Sequence, residues 1–190
     1  EVYDLGERWN GDYLAVVNAN VAGGKSDFAI VQEIDLVSQL IANGDVENNL
    51  IVKRTHNGNL RREAWYKSSN NNFIKILTVP DAQLNFIEGN AKKNIVGSNK
   101  NNAIAKDVDL ARIEDTEKYD SQSGIWTGAE NGKTSMSTWF IVKAGEKKEL
   151  KLTYRIPNAY DPLGGVYKFV YEKQSGVGGI VRIALIAPTG

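Results

Sequence analysis

Three observations predict an all-β fold: an antiparallel two-sheet β-sandwich, immunoglobulin-like, of roughly eight strands, with one long insertion that holds a short helix. The first is an alternating run in which Met136, Thr138, Phe140 and Val142 share one face, with Ser137 and Lys143 among the residues on the other. The second follows a polar turn, Ala144-Gly145-Glu146-Lys147, where Leu150, Leu152, Tyr154 and Ile156 alternate with Glu149, Lys151, Thr153 and Arg155. A period of two sends every second side chain into a core and leaves its neighbours in water. That is the pattern of antiparallel sheets with one solvated face. The third is spacing: short apolar runs recur along the chain with turn residues between them.

Taken in order, residues 13–17 form a short apolar run between Gly11 and Asn18, which reads as a buried strand. Residues 28–41 alternate, with Ile30, Ile34, Leu36 and Leu40 on the even face. Beyond Asn43-Gly44, Val46, Leu50 and Val52 are again even. The turn decides whether these faces agree. A two-residue Asn43-Gly44 loop sets Leu40 opposite Glu47 and Leu36 opposite Ile51. A three-residue loop, Ala42 to Gly44, sets Leu40 opposite Val46, Leu36 opposite Leu50 and Ile34 opposite Val52. A one-residue slip flips every side chain, so the second register is predicted, with Gly44 supplying the positive φ of a bulged hairpin. Residues 73–79 are a strand closed by Pro80, and Gln83–Glu88 is a shorter one ending at Gly89. Residues 90–124 are rich in Asn, Lys and Asp and break the rhythm. They read as a long insertion, with a short helix over 107–117 carried by Val108, Leu110 and Ile113. The last pair of strands, 166–173 and 180–187, is joined by a glycine-rich link. The whole of 1–190 is expected to be a single sandwich domain.

Bulk composition narrows the function classes. Apolar residues make up 42% of the 190, ordinary for a folded chain. Lys plus Arg and Asp plus Glu both number 23, so no net field draws the chain to nucleic acid. With no cysteine, thiolate zinc sites and cysteine nucleophiles are excluded. His56, the one histidine, reads as a polar residue flanking a turn. No stretch approaches the roughly 18–20 apolar residues that span a bilayer. Glu1 is no natural start, so a processed or excised piece is expected.

Motifs that carry chemistry are weak. Gly23-Gly24-Lys25-Ser26 resembles the end of a phosphate loop, but the earlier glycine position is Ala19 and a strand pattern follows where a helix is needed. It reads as a glycine-rich connection. Asp107, Asp109, Glu114 and Asp115 lack the spacing of a calcium loop and read as a solvated acidic segment. Lys75 is the most placeable lysine for an internal isopeptide bond, yet period two puts it on the face opposite Ile74 and Ile76. No pair of carboxylates stands out for glycoside hydrolysis, and no cofactor is implied. The aromatics Trp9, Trp65, Tyr66 and Trp126 lie near strand ends or in polar segments. Exposed indoles offer flat apolar faces to sugars or protein partners, while the same rings also serve to close the open ends of a sandwich.

Several blocks resemble a known family. Residues 11–20, Gly-Asp-Tyr-Leu-Ala-Val-Val-Asn-Ala-Asn, followed by Gly23-Gly24-Lys25-Ser26-Asp27-Phe28, are similar to a block of the domain-of-unknown-function 4012 family of bacterial cell-envelope proteins. Similar too are Thr55-His56-Asn57-Gly58, Val79-Pro80, Asn131-Gly132-Lys133-Thr134 leading to Trp139-Phe140, Leu152-Thr153-Tyr154-Arg155-Ile156-Pro157, and Lys173-Gln174-Ser175-Gly176. The order of these blocks matches the C-terminal portion of such proteins. The departures, Asp81-Ala82 for Lys-Gly and Ser175-Gly176 for Pro-Gly, fall in turns. The resemblance implies an extracytoplasmic location, with anchoring to the cytoplasmic membrane by a helix upstream of this chain, and it implies no activity. The expected function is therefore a non-catalytic binding or scaffolding module that engages cell-wall polysaccharide or an envelope protein, with Trp9, Trp65, Tyr66 and Trp126 as contact residues. The alternative is an envelope glycan-processing enzyme, or an accessory domain of one.

Overall fold

In a computed structural model the chain is described over residues 11–21, 25–93 and 107–188. It is mostly β, with eleven strands and one helix among those residues. Six strands make a first sheet: β1 (Asp12–Asn20), β4 (Asn70–Thr78), β6 (Lys118–Asp120), β7 (Ile125–Glu130), β8 (Lys133–Val142) and β10 (Phe169–Glu172), in the spatial order β10-β1-β4-β8-β7-β6. Five make a second: β2 (Ile30–Leu40), β3 (Val46–His56), β5 (Gln83–Glu88), β9 (Lys147–Ile156) and β11 (Gly179–Ile186), in the order β11-β2-β3-β9-β5. The helix α1 (Val108–Glu114) lies in the stretch read as an insertion, which also supplies β6.

The β2–β3 hairpin adopts the three-residue register. Leu40 pairs with Val46, Leu36 with Leu50 and Ile34 with Val52, Ile41 N donates to Asp45 O at 2.9 Å, and Gly44 has φ +93°. The even residues of both strands therefore face inward, where β9 continues the layer by pairing Leu50 with Leu152 and Val52 with Leu150. Across the sandwich, Leu14, Val16, Ile74, Ile76, Met136 and Phe140 complete the core. Each fully buried aliphatic side chain contributes about 1.5–3 kcal/mol of transfer free energy.

Sequence and structure differ in three places. The number of strands rises because β6 emerges inside the stretch 90–124 read as an insertion and β7 directly after it, where no strand was expected; the Asn131-Gly132 turn, with φ values of +49° and +69°, folds β7 back onto β8. The alternating runs β8 and β9 are not neighbours in one sheet. They arch from the first sheet to the second, and period two is blind to that choice because both geometries keep the same inward residues. The last two strands do not pair with each other either. β10 adds to β1 and β11 adds to β2, each in parallel, so the sheets are mixed. The glycine-rich link is long enough to cross between layers, and β1 and β2 already stand in different sheets.

One pole of the interior is closed by buried polar groups. Asp12, at the start of β1, is fully buried. Its carboxylate accepts hydrogen bonds from Asn48 Nδ2 of β3 at 3.0 Å, Tyr167 Oη at 2.6 Å and the Tyr13 amide at 2.6 Å, so it joins the two sheets. Burial outweighs these donors and raises its pKa. Nearby Asp45 accepts from the Asn158 amide at 2.9 Å and from Arg155 Nε at 2.7 Å, and these hold it below the ordinary carboxylate range.

Leu50→Ala is expected to lower the unfolding free energy by about 2–5 kcal/mol, whereas Glu47→Ala, on the outward face of the same strand, shifts it by less than about 0.5 kcal/mol; urea denaturation measures both. For Asp12 the folded state holds its proton to higher pH than the unfolded chain, so its contribution is greatest in acid and is lost as pH rises through the raised value. The stability of Asp12→Asn relative to wild type should therefore climb from acid toward neutral pH and then level off. A difference that stays flat across that range contradicts the assignment.

Candidate functional site

The opposite pole carries the exposed aromatics. There β3 ends at His56 and the chain takes two short 3-10 turns, Asn57–Leu60 and Ala64–Lys67, which meet a third, Lys25–Ala29, that precedes β2. His56 is fully buried and organises this region. Its Nδ1 accepts from the Gly58 amide at 3.0 Å, which leaves the proton on Nε2 to donate to Ser68 O at 2.9 Å. Its backbone is held by the arch between β8 and β9: Gly145 N donates to His56 O at 2.7 Å, and His56 N donates to Glu146 O at 2.9 Å. Gly58 is required for space. A Cβ there would stand 1.9 Å from Tyr66 O and 2.5 Å from the His56 ring.

A second buried network ties the 25–29 turn to the same base. Asn70 Nδ2 donates to Ser26 Oγ at 3.1 Å and to Asp27 Oδ1 at 2.7 Å, and Asn70 Oδ1 accepts from Arg54 Nη1 at 2.7 Å. Arg54 also lies 3.6 Å from Asp27. Burial pulls the Arg54 guanidinium down to about 10, against the attraction of Asp27, so it remains a cation at neutral pH. Lys25 and Ser26 thus belong to a 3-10 turn with Ser26 pointing inward, while Gly23 and Gly24 of the same segment lie outside the described residues.

On this frame sits an apolar, aromatic surface. Phe28 is 70% exposed, Trp65 54% and Leu60 78%. The Phe28 and Tyr66 rings lie 5.6 Å apart, Tyr66 and Trp65 5.9 Å, and the Arg61 guanidinium stands 5.3 Å over the Phe28 ring. Cation–π contact of this kind fixes the ring and presents a donor beside it.

Trp65 and Tyr66, both singled out from the sequence, are adjacent in this surface. Trp126 is elsewhere. It is half-buried on the outward face of the first sheet, 4.4 Å from Tyr119 and 5.5 Å from Phe73, which in turn lies 5.2 Å from Trp139. This row of rings packs the short edge strand β6 onto its neighbours. Trp9 lies outside the described residues. Sequence reasoning missed Phe28, Leu60 and Arg61. Parity counted back from Ile30 places Phe28 inside the core, and the 3-10 turn breaks that parity and turns the ring outward.

The acidic groups do other work. Asp107 caps α1, accepting from the amides of Asp109 at 2.9 Å and Leu110 at 3.0 Å. Among the described residues no group of three or more His, Asp or Glu is placed to hold a metal ion. Burial raises Glu117 as it does Asp12, but Glu117 sits by Gly128 and the Lys75–Glu130 ion pair on the outer face of the first sheet, whereas Asp12 points into the sandwich. These two acids do not share a cleft. Lys75, paired to Glu130, is likewise on the side of the sheet away from Asp12. No family model matches the chain, and no curated protein matches it.

Gly58→Ala should lower the unfolding free energy by about 1–3 kcal/mol or more, since backbone is what the new methyl would strike. His56→Ala should lose about 1–3 kcal/mol by stranding the Ser68 carbonyl and the Gly58 amide. Chemical denaturation followed by tryptophan fluorescence reads both, and wild-type stability in Gly58→Ala would overturn the packing account.

Proposed function

We propose that this chain is a non-catalytic, extracytoplasmic binding module of a bacterial cell-envelope protein, and that the surface of Phe28, Leu60, Arg61, Trp65 and Tyr66 is where it engages cell-wall polysaccharide. The observation that carries this reading is the exposure of Phe28 and Trp65 on a frame whose positions are dictated by fully buried His56 and Asn70. Exposed aromatic faces held in place lose little conformational freedom on binding, and a pyranose ring offers the apolar C–H face that stacks on them. Arg61 adds a charged donor at the rim for hydroxyl or acidic groups of such a polymer. The envelope location rests on the sequence blocks that resemble the domain-of-unknown-function 4012 family.

Co-sedimentation of the purified chain with isolated bacterial cell-wall material tests this. Trp65→Ala should weaken pelleting about tenfold, the effect of losing roughly 1.4 kcal/mol from one contact aromatic. Trp126→Ala, in the row beside β6, should bind as wild type does. Circular dichroism first confirms that both variants are folded. Equal binding by wild type and Trp65→Ala would move the contact surface elsewhere. No binding by wild type would sink the polysaccharide reading and turn attention to a protein partner.

A further inference from the structure

Each sheet ends in two edge strands, and an unpaired strand edge is a row of free N–H and C=O groups that invites another strand. Three of the four described edges are blunted. β6 is three residues long, with Lys118 and Asp120 exposed at its ends. β10 has four residues. β5 is irregular, its register slipping between Leu84 and Phe86. The fourth, β11, is unlike them: eight residues, Gly-Ile-Val-Arg-Ile-Ala-Leu-Ile, paired without a bulge along the whole of its inner side to β2. Ile180, Ile183, Leu185 and Ile186 are between 47% and 53% exposed. Ile183 and Leu185 pair with Leu36 and Ser38, so they face the interior side of the sheet and are still half in water. Apolar side chains on both faces are the mark of a strand inside a sheet, not at its margin.

We infer that β11 is an interface, and that its partner is the β11 strand of a second copy of this chain, added antiparallel across a two-fold axis. The strand is self-complementary about Ile183. In that register Ile183 meets its own copy, Val181 meets Leu185, Ile180 meets Ile186 and Arg182 meets Ala184, so every Ile, Val and Leu of the strand finds an apolar partner and no like charges are opposed. Arg182, the one charged side chain of β11, is drawn back over β2 by Glu33 at 2.9 Å and Asp35 at 2.8 Å, away from the free edge. Eight residues form roughly eight new backbone hydrogen bonds in an antiparallel pair, and the two second sheets become one continuous ten-stranded sheet. An isologous contact of this kind closes on itself and does not propagate into a fibre.

The experiment is sedimentation velocity on the whole chain at rising concentration, for wild type, Ile183→Lys and Ile183→Glu, each checked by circular dichroism. Wild type should be dimeric at tens of micromolar, the two variants monomeric through like-charge repulsion at the axis, and an equimolar mixture of the variants dimeric again, a rescue that a mere folding defect would not show. As an independent readout, Ile183→Cys introduces the only thiol in the chain and should form a disulfide-linked dimer on mild oxidation, since directly opposed residues across an antiparallel pair come within bridging distance. A monomeric wild type, a dimer indifferent to both charges, or a mixture that stays monomeric would each overturn the inference.

Discussion

The turn between β2 and β3 is the constraint on which the remaining structure rests. With three residues in the loop and Gly44 at positive φ, the even residues of both strands point inward together. The same parity that buries Leu36, Leu50 and Val52 also buries Asn48, Arg54 and His56. One residue more or less would put the core outside, and with it both polar poles. The core and the frame beneath the aromatic surface therefore have one geometrical origin.

The interior is graded along the strands. Its middle is aliphatic, and each end is occupied by buried polar groups: Asp12, Ser38, Asn48 and Thr78 at one pole, and Arg54, His56, Asn70 and Asn72 at the other. Buried polar groups contribute little net stability but are costly to leave unmatched, so they penalise every arrangement of the two sheets except the one that joins Asp12 to Asn48 and Arg54 to Asn70. Apolar packing holds the layers together, and the polar ends fix how they are aligned.

Much of this was legible in the sequence because period two speaks directly about which way a side chain points. The inward residues of β2, β3, β8 and β9 and the hairpin register could be read from residue parity alone. What parity does not encode is which sheet a strand joins, which is why the arch between β8 and β9 and the parallel additions of β10 and β11 were hidden. The aromatic surface was half visible. Trp65 and Tyr66 stood out by their place in a polar segment, but Phe28 did not, because the 3-10 turn before β2 breaks the alternation by which its direction would be read. The buried roles of Asp12, Asn70 and Asn72 had no signal, since polar residue types ordinarily indicate exposure.

The parallel pairing of the last two strands bears on how the chain acquires its structure. Asp12 lies in register with Phe169, and Gln32 with Gly179, so β1 and β2 wait for strands made much later. Contacts between segments so far apart in sequence close slowly. During synthesis, the flank of β1 and β2 that β10 and β11 cover would remain open until those two strands have left the ribosome, and that flank is where an emerging chain of this kind is most exposed to wrong strand partners.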